Sequence, residues 1–154
     1  MLYLMIPIGL FLTDFLVKKH IDENYKASRT KEICNGKITI KKVYNEGAML
    51  NILEDKQEFV AGLSTGISVV LFLGYLRLLS NKGYKLLKLA LGFVLGGAAS
   101  NVYDRVVHKR VIDYFSFRTK NQYLRNIVFN LADIFIFIGA ALFLIFEFID
   151  KRKK

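Results

Sequence analysis

The run 59–79, FVAGLSTGISVVLFLGYLRLL, carries a single charged side chain, Arg77, in 21 residues. Wound as a helix it rises about 1.5 Å per residue, enough to cross the hydrocarbon core of a bilayer. A second run, about 127–149 (IVFNLADIFIFIGAALFLIFEFI), has similar reach. Two weaker runs join them. One is short, about 3–17 (YLMIPIGLFLTDFLV); the other, about 86–104 (LLKLALGFVLGGAASNVYD), contains polar groups. The simplest count is four transmembrane helices, and the expected class is an all-α membrane protein forming one integral-membrane domain over residues 1–154. The first run has no basic segment ahead of it and no Ala-x-Ala-like site behind it. It reads as a retained helix and not as a cleaved signal peptide.

Between the runs lie a long polar segment (about 18–58), a short link (80–85) and a segment of intermediate length (105–126). In the long segment, ICNGKITIKKVYNEGAML places Ile38, Ile40 and Val43 after an Asn35-Gly36 turn signal. This predicts a small strand-bearing cap between the first and second helices. NKGYK reads as a tight turn. An even number of spans puts both termini on one side, but Lys and Arg flank both faces, so charge alone leaves the orientation open.

Apolar residues make up 53% of the chain, charged residues 23%, and the formal net charge is +10. A basic excess is also a mark of nucleic-acid binding. Here the lysines alternate with apolar spans and form no helix-turn-helix or basic zipper, which argues against nucleic acid and for a basic rim against membrane lipid. The lone Cys34 precludes an intramolecular disulfide and a multi-cysteine metal site. His20 and His108 are too scattered for a zinc signature such as H-E-x-x-H.

Ionisable side chains at membrane depth are costly and mark function by default. Asp14 and Lys18 are four residues apart on one helical face and can pair. Asn101, Asp104 and Arg105 follow the small-residue stretch GGAAS at i, i+3 and i+4. Asn130 and Asp133 share a face of the last run, and Asp113 stands in VIDYF, an apolar pentad within a basic loop. Each has a plainer account. Asp14–Lys18 and Asp104–Arg105 serve as membrane-edge ion pairs in that account, Gly96–Ser100 as close helix packing, and Asn130 as an interhelical hydrogen bond. Asp133 resists it, lying about six residues inside its run with no basic residue within a turn. Such a carboxylate takes a partner from elsewhere or holds a proton. If it meets Asp113, the two share one proton: the ionised member can take a proton from water while the other donates to a carbonyl. Proton conduction and ion binding use the same ingredients, and a non-catalytic scaffold needs none of them.

Five short words, in order along the chain, resemble the lipoprotein signal peptidases (signal peptidase II), membrane aspartyl proteases of bacteria. DFLVK (14–18) resembles D-x-x-x-K, and NEGAML (45–50) resembles an N-x-G-A box. GGAASNVYDR (96–105) resembles G-G-A-x-G-N-x-x-D-R, VIDYF (111–115) resembles V-V-D-F, and FNLAD (129–133) matches F-N-x-A-D. The resemblance implies that Asp113 and Asp133 are the catalytic pair. It implies that Asn101, Asp104, Arg105 and Asn130 orient substrate and acids, that Asn45 and Gly47 belong to the extracytoplasmic cap, and that Asp14 and Lys18 form the first-helix motif. It further implies cleavage of diacylglyceryl-modified prolipoproteins before the lipidated cysteine, inhibition by globomycin, and no metal or organic cofactor. The implied setting is the bacterial inner (cell) membrane, with both termini cytoplasmic and the acids near the extracytoplasmic face. The implied partners are prolipoprotein substrates and membrane lipid; no nucleic-acid partner is expected, and the chain is expected to act as a monomer. Four positions depart from the pattern. Ser100 replaces a usual Gly, which predicts looser packing beside Asn101. Lys109 stands where Gly is common, Leu50 replaces an aromatic residue, and Tyr114 replaces Phe. They mark a divergent member.

Overall fold

A computed structural model describes residues 2–26, 28–47 and 54–152. Helix α1 (Leu2–Asn24) leads into a hairpin of β1 (Lys31–Ile33) and β2 (Ile38–Asn45). A 3-10 turn (Glu54–Lys56) then opens α2 (Gln57–Leu79). Helix α3 (Lys85–Tyr103) runs on through a π-helical turn (Asp104–His108) to β3 (Val111–Phe117), and the short α4 (Gln122–Asn126) precedes α5 (Leu131–Lys151). Among the described residues, three helices are long and apolar enough to cross a membrane: α2, α3 with its π-helical extension, and α5. Helix α1 equals α2 in length but carries Asp14, Lys18 and Lys19 along its second half.

The β structure is larger than the sequence indicates. The hairpin turns through Cys34, Asn35 and Gly36, all with positive φ, as the Asn-Gly signal predicts. A third strand then pairs with β2, giving an antiparallel sheet in the order β1-β2-β3. VIDYF is therefore strand and not loop, and the cap draws on chain from both sides of α2 and α3. Val, Ile, Tyr and Phe in succession suit a strand buried on both faces, and Val111–Ser116 are all buried. Ile112, Tyr114 and Phe115 pack with Ile21 of α1 to form the core under the sheet. An extra residue in β2 between Ile40 and Val43 restores the register that sets Val43 opposite Asp113 and Asn45 opposite Val111.

Helix α3 is the hub. Its neighbouring residues Gly96 and Gly97 face different partners. A Cβ on Gly96 would meet Leu10 Cβ at 2.7 Å and the Pro7 carbonyl at 3.0 Å, and one on Gly97 would collide with the Ala132 carbonyl. Both glycines are thus required by close helix approach, to α1 on one side and α5 on the other. At its start, Lys88 is buried, bonds the carbonyl of Asn81 in the turn after α2, and lies over the Tyr3 ring. On α2, the hydroxyls of Ser64, Thr65 and Ser68 bond carbonyls of their own helix. They are satisfied locally and require no polar path through the membrane. Cys34 is free and exposed.

Candidate functional site

The last helix starts later than its apolar run indicates. Residues before Asn130 pair with β3: Tyr114 and Phe115 donate backbone N–H groups to the Phe129 carbonyl, and Phe129 N–H donates to the Phe115 carbonyl at 2.7 Å. Asn130, extended and fully buried, is then the N-cap of α5. Its side-chain Oδ1 accepts the Asp133 N–H (3.0 Å), while Asp133 Oδ2 accepts the Asn130 N–H (3.1 Å). This reciprocal capping box puts Asp133 in the first turn of the helix, not deep within it. The same device keeps its carboxyl beside the positive helix terminus.

Asp113 and Asp133 line one cavity of about 180 Å³, with Asn45, Asn101, Arg105 and Asn130 on its polar side and Val111, Val128, Phe129, Ile136 and Phe137 on its apolar side. It has room for water. Asn130 links the two carboxyls, because its amide also donates to Asp113 Oδ1 at 2.7 Å. Asn45 donates to Asp113 Oδ2 (3.0 Å), diagonally across the β2–β3 ladder. Asn101 donates to Asp133 Oδ1 at 3.0 Å and accepts from Asn130 at 3.2 Å. Burial, opposed by the Asn45 hydrogen bond and reinforced by the Asp133 charge, pushes the Asp113 carboxyl up to about 7.

Gly47 donates its N–H to Asn45 Oδ1 and accepts Arg105 Nη2 on its carbonyl at 3.2 Å. The guanidinium therefore pins the chain just beyond β2 over the cavity. Ala48, Met49 and Leu50 of the NEGAML word lie outside the described residues.

Behind the cavity is a second polar group. Lys18 Nζ lies 2.7 Å from Asp14 Oδ2, 2.8 Å from Asp104 Oδ2 and 2.8 Å from Asn101 Oδ1. All three ionic side chains are nearly inaccessible, with Asp14 at 0%, Lys18 at 2% and Asp104 at 3% exposure. The pair is thus no membrane-edge ornament. Helix spacing put Asn101, Asp104 and Arg105 on one face, yet the structure divides them. Asn101 and Arg105 line the cavity, and Asp104 turns to Lys18.

The departures acquire physical accounts. Lys109 has φ +61°, the left-handed region in which Gly is at ease. Ser100 does not loosen the packing. It is 1% exposed and donates to Asp14 Oδ2 at 2.6 Å. Tyr114 donates to Asp14 Oδ1 (3.1 Å) and accepts the Leu131 N–H (2.9 Å). Burial, together with the Asp14 carboxylate, holds its phenol above the ordinary value and so keeps it a donor. These two hydroxyls were missed as parts of the polar assembly. Their only trace in the sequence is a polar atom at two sites that a smaller or apolar residue would fill.

Residues 6–149 match the family described as signal peptidase (SPase) II. The lipoprotein signal peptidase of Listeria welshimeri is 31% identical over 153 residues, 99% of this chain and 97% of that protein. That of Alteromonas mediterranea is 42% identical over 114 residues, 73% of this chain and 62% of that protein. A solved bacterial membrane enzyme shares the fold with a TM-score of 0.82 at 22% identity, covering 99% of this chain and 90% of its own. With the family matched across nearly the whole chain, this multi-pass membrane protein belongs to the signal peptidase II family of lipoprotein signal peptidases.

Proposed function

We propose that the chain removes the signal peptide from diacylglyceryl-modified prolipoproteins by cutting before the lipidated cysteine, with Asp113 and Asp133 as a proton-sharing catalytic pair. The observation that carries this reading is the joining of both carboxyls, across one cavity, through Asn130. Burial and the Asp133 charge both raise the Asp113 carboxyl, and at about 7 it is a place for a shared proton to reside near neutral pH. In the reaction, water attacks the scissile carbonyl carbon and gives its proton to the ionised carboxylate, Asp133. Asp113 passes its proton to the carbonyl oxygen. Collapse of the resulting diol breaks the C–N bond: one diol hydroxyl returns its proton to Asp113 as the carbonyl re-forms, and the proton held by Asp133 leaves with the cysteine amine.

Asn101 and Asn130 hold the two acids, Asn45 steadies Asp113, and Arg105 with Gly47 closes the cap over the substrate. Asp14, Lys18 and Asp104 brace α1 against α3 behind the site. In this reading α1 is the fourth transmembrane helix, its buried polar half facing protein rather than lipid. The chain is one integral-membrane domain and a monomer in the bacterial inner membrane, with both termini cytoplasmic and the basic loops against lipid headgroups. The acids then lie near the extracytoplasmic face, where a lipid-anchored peptide meets water.

The test is processing of a purified diacylglyceryl-prolipoprotein by the wild type and by Asp113→Asn and Asp133→Asn. Each substitution should lower turnover by about 10²–10⁴-fold or more, the range of a lost acid–base group. Full turnover by either variant refutes the assignment.

A further inference from the structure

Tyr114 is the residue after Asp113, and it grips the start of α5 on both sides of the cap. Its backbone N–H donates to the carbonyl of Phe129, immediately before Asn130, at 2.9 Å. Its hydroxyl accepts the N–H of Leu131, immediately after Asn130, also at 2.9 Å. Between these two anchors sits the asparagine that touches both acids. The aromatic ring already fills the core under the sheet, so packing alone does not require the hydroxyl. At 4% exposure a phenol oxygen needs partners, and it has one on each side: the Leu131 amide and the Asp14 carboxylate.

Asp14 explains why the hydroxyl is held so firmly. Asp14 and Asp104 share one ammonium, that of Lys18, which also reaches Asn101. Two buried carboxylates against one cation leave excess negative charge. The hydroxyls of Ser100 and Tyr114 supply the further donors that Asp14 needs. The Leu131 amide is among the N-terminal donors that a helix leaves unpaired within itself. Tyr114 thus joins a carboxylate anchored on α1 and α3 to the first amide of α5.

We infer that the Tyr114 hydroxyl is a positioning group for the reaction: by tying Asp14 to the Leu131 amide it fixes the first turn of α5, and with it the placement of Asp133 relative to Asp113. The inference rests on the catalytic pair proposed above. Removing the hydroxyl leaves Asp14 short of a donor and the Leu131 N–H unpaired, so the first turn of α5 relaxes while the cavity that receives substrate remains.

The experiment compares wild type, Tyr114→Phe and Leu131→Pro on a purified diacylglyceryl-prolipoprotein, each as monodisperse protein with rates normalised to the folded fraction. Proline is tolerated in the first helical position, so Leu131→Pro keeps α5 while removing the same N–H by another route. Both variants should lower kcat by roughly tenfold with KM within about twofold, since misplacing a reacting group costs rate rather than binding. A raised KM at unchanged kcat, or full kcat in Tyr114→Phe, overturns the inference. So does a Leu131→Pro enzyme with wild-type kcat, which also decides the matter should Tyr114→Phe fail to fold. Asp113→Asn serves as the reference. If it is inactive while Tyr114→Phe turns over normally, the positioning role alone falls; if it remains active, the catalytic pair falls first.

Discussion

Helices α2 and α3 are of similar length and both are strongly apolar, yet their surroundings are opposite. Along α2 only Val60 and Tyr75 are buried, and Phe59, Leu63, Ile67, Val70 and Leu73 stand outward. Along α3, Lys88, Ala90, Gly92, Leu95, Gly96, Gly97, Ser100 and Asn101 are all buried. Large side chains face outward where lipid is the neighbour. Where the neighbour is another helix, the residues are small or polar, because close approach and hydrogen bonds hold helices together in a medium as apolar as they are. The difference divides the molecule into a face that tolerates change and a hub that does not. The candidate site grows from the hub's C-terminal end.

Substitutions can break this contrast in a graded way. The largest effect belongs to the acids. Asp113→Asn and Asp133→Asn should abolish cleavage and also cost about 1–3 kcal/mol of stability, because each amide sets an NH2 donor against a buried donor that the carboxylate oxygen had accepted; denaturation in detergent checks this beside the cleavage assay. Lys18→Ala comes next. It leaves Asp14 and Asp104 buried with no cation between them, and should cost about 3–5 kcal/mol of stability in the same measurement. Gly97→Ala drives a methyl into the Ala132 carbonyl and should cost about 1–3 kcal/mol, with activity falling as α5 is displaced. Gly66→Ala on α2 is the sharpest control. A Cβ there meets nothing within 4 Å, so the change should be neutral or stabilising by up to about 1 kcal/mol. Equal costs at Gly97 and Gly66 would contradict the division into hub and lipid face.

Much of this was legible in the sequence. Apolar runs placed α2, α3 and α5, and Asn35-Gly36 placed the hairpin. Local spacing paired Asp14 with Lys18 and Asn130 with Asp133, since both contacts lie within a helical turn. What escaped depends on contacts between distant segments. VIDYF had the composition of a strand, but its partner, β2, lies some 70 residues earlier in the chain. The start of α5 was set by Phe129 pairing with β3, so the apolar run alone placed the helix too early. Ser100 and Tyr114 each looked like a small change at an isolated position. Only the fold brings both hydroxyls to opposite oxygens of Asp14.

In the proposed mechanism the pair must carry one proton to work. The direct measurement is kcat/KM for prolipoprotein cleavage from about pH 5 to about pH 9, which reports ionisations of the free enzyme. Burial raises the Asp113 carboxyl to about 7, so its acid form persists from low pH up to neutrality and is lost above it. The same shift makes its contribution to stability greatest below the ordinary carboxylate value and lost as pH rises through about 7. The rate should therefore fall on the alkaline side with a midpoint near 7. A rate that stays level or climbs through that interval would contradict the proton-sharing pair.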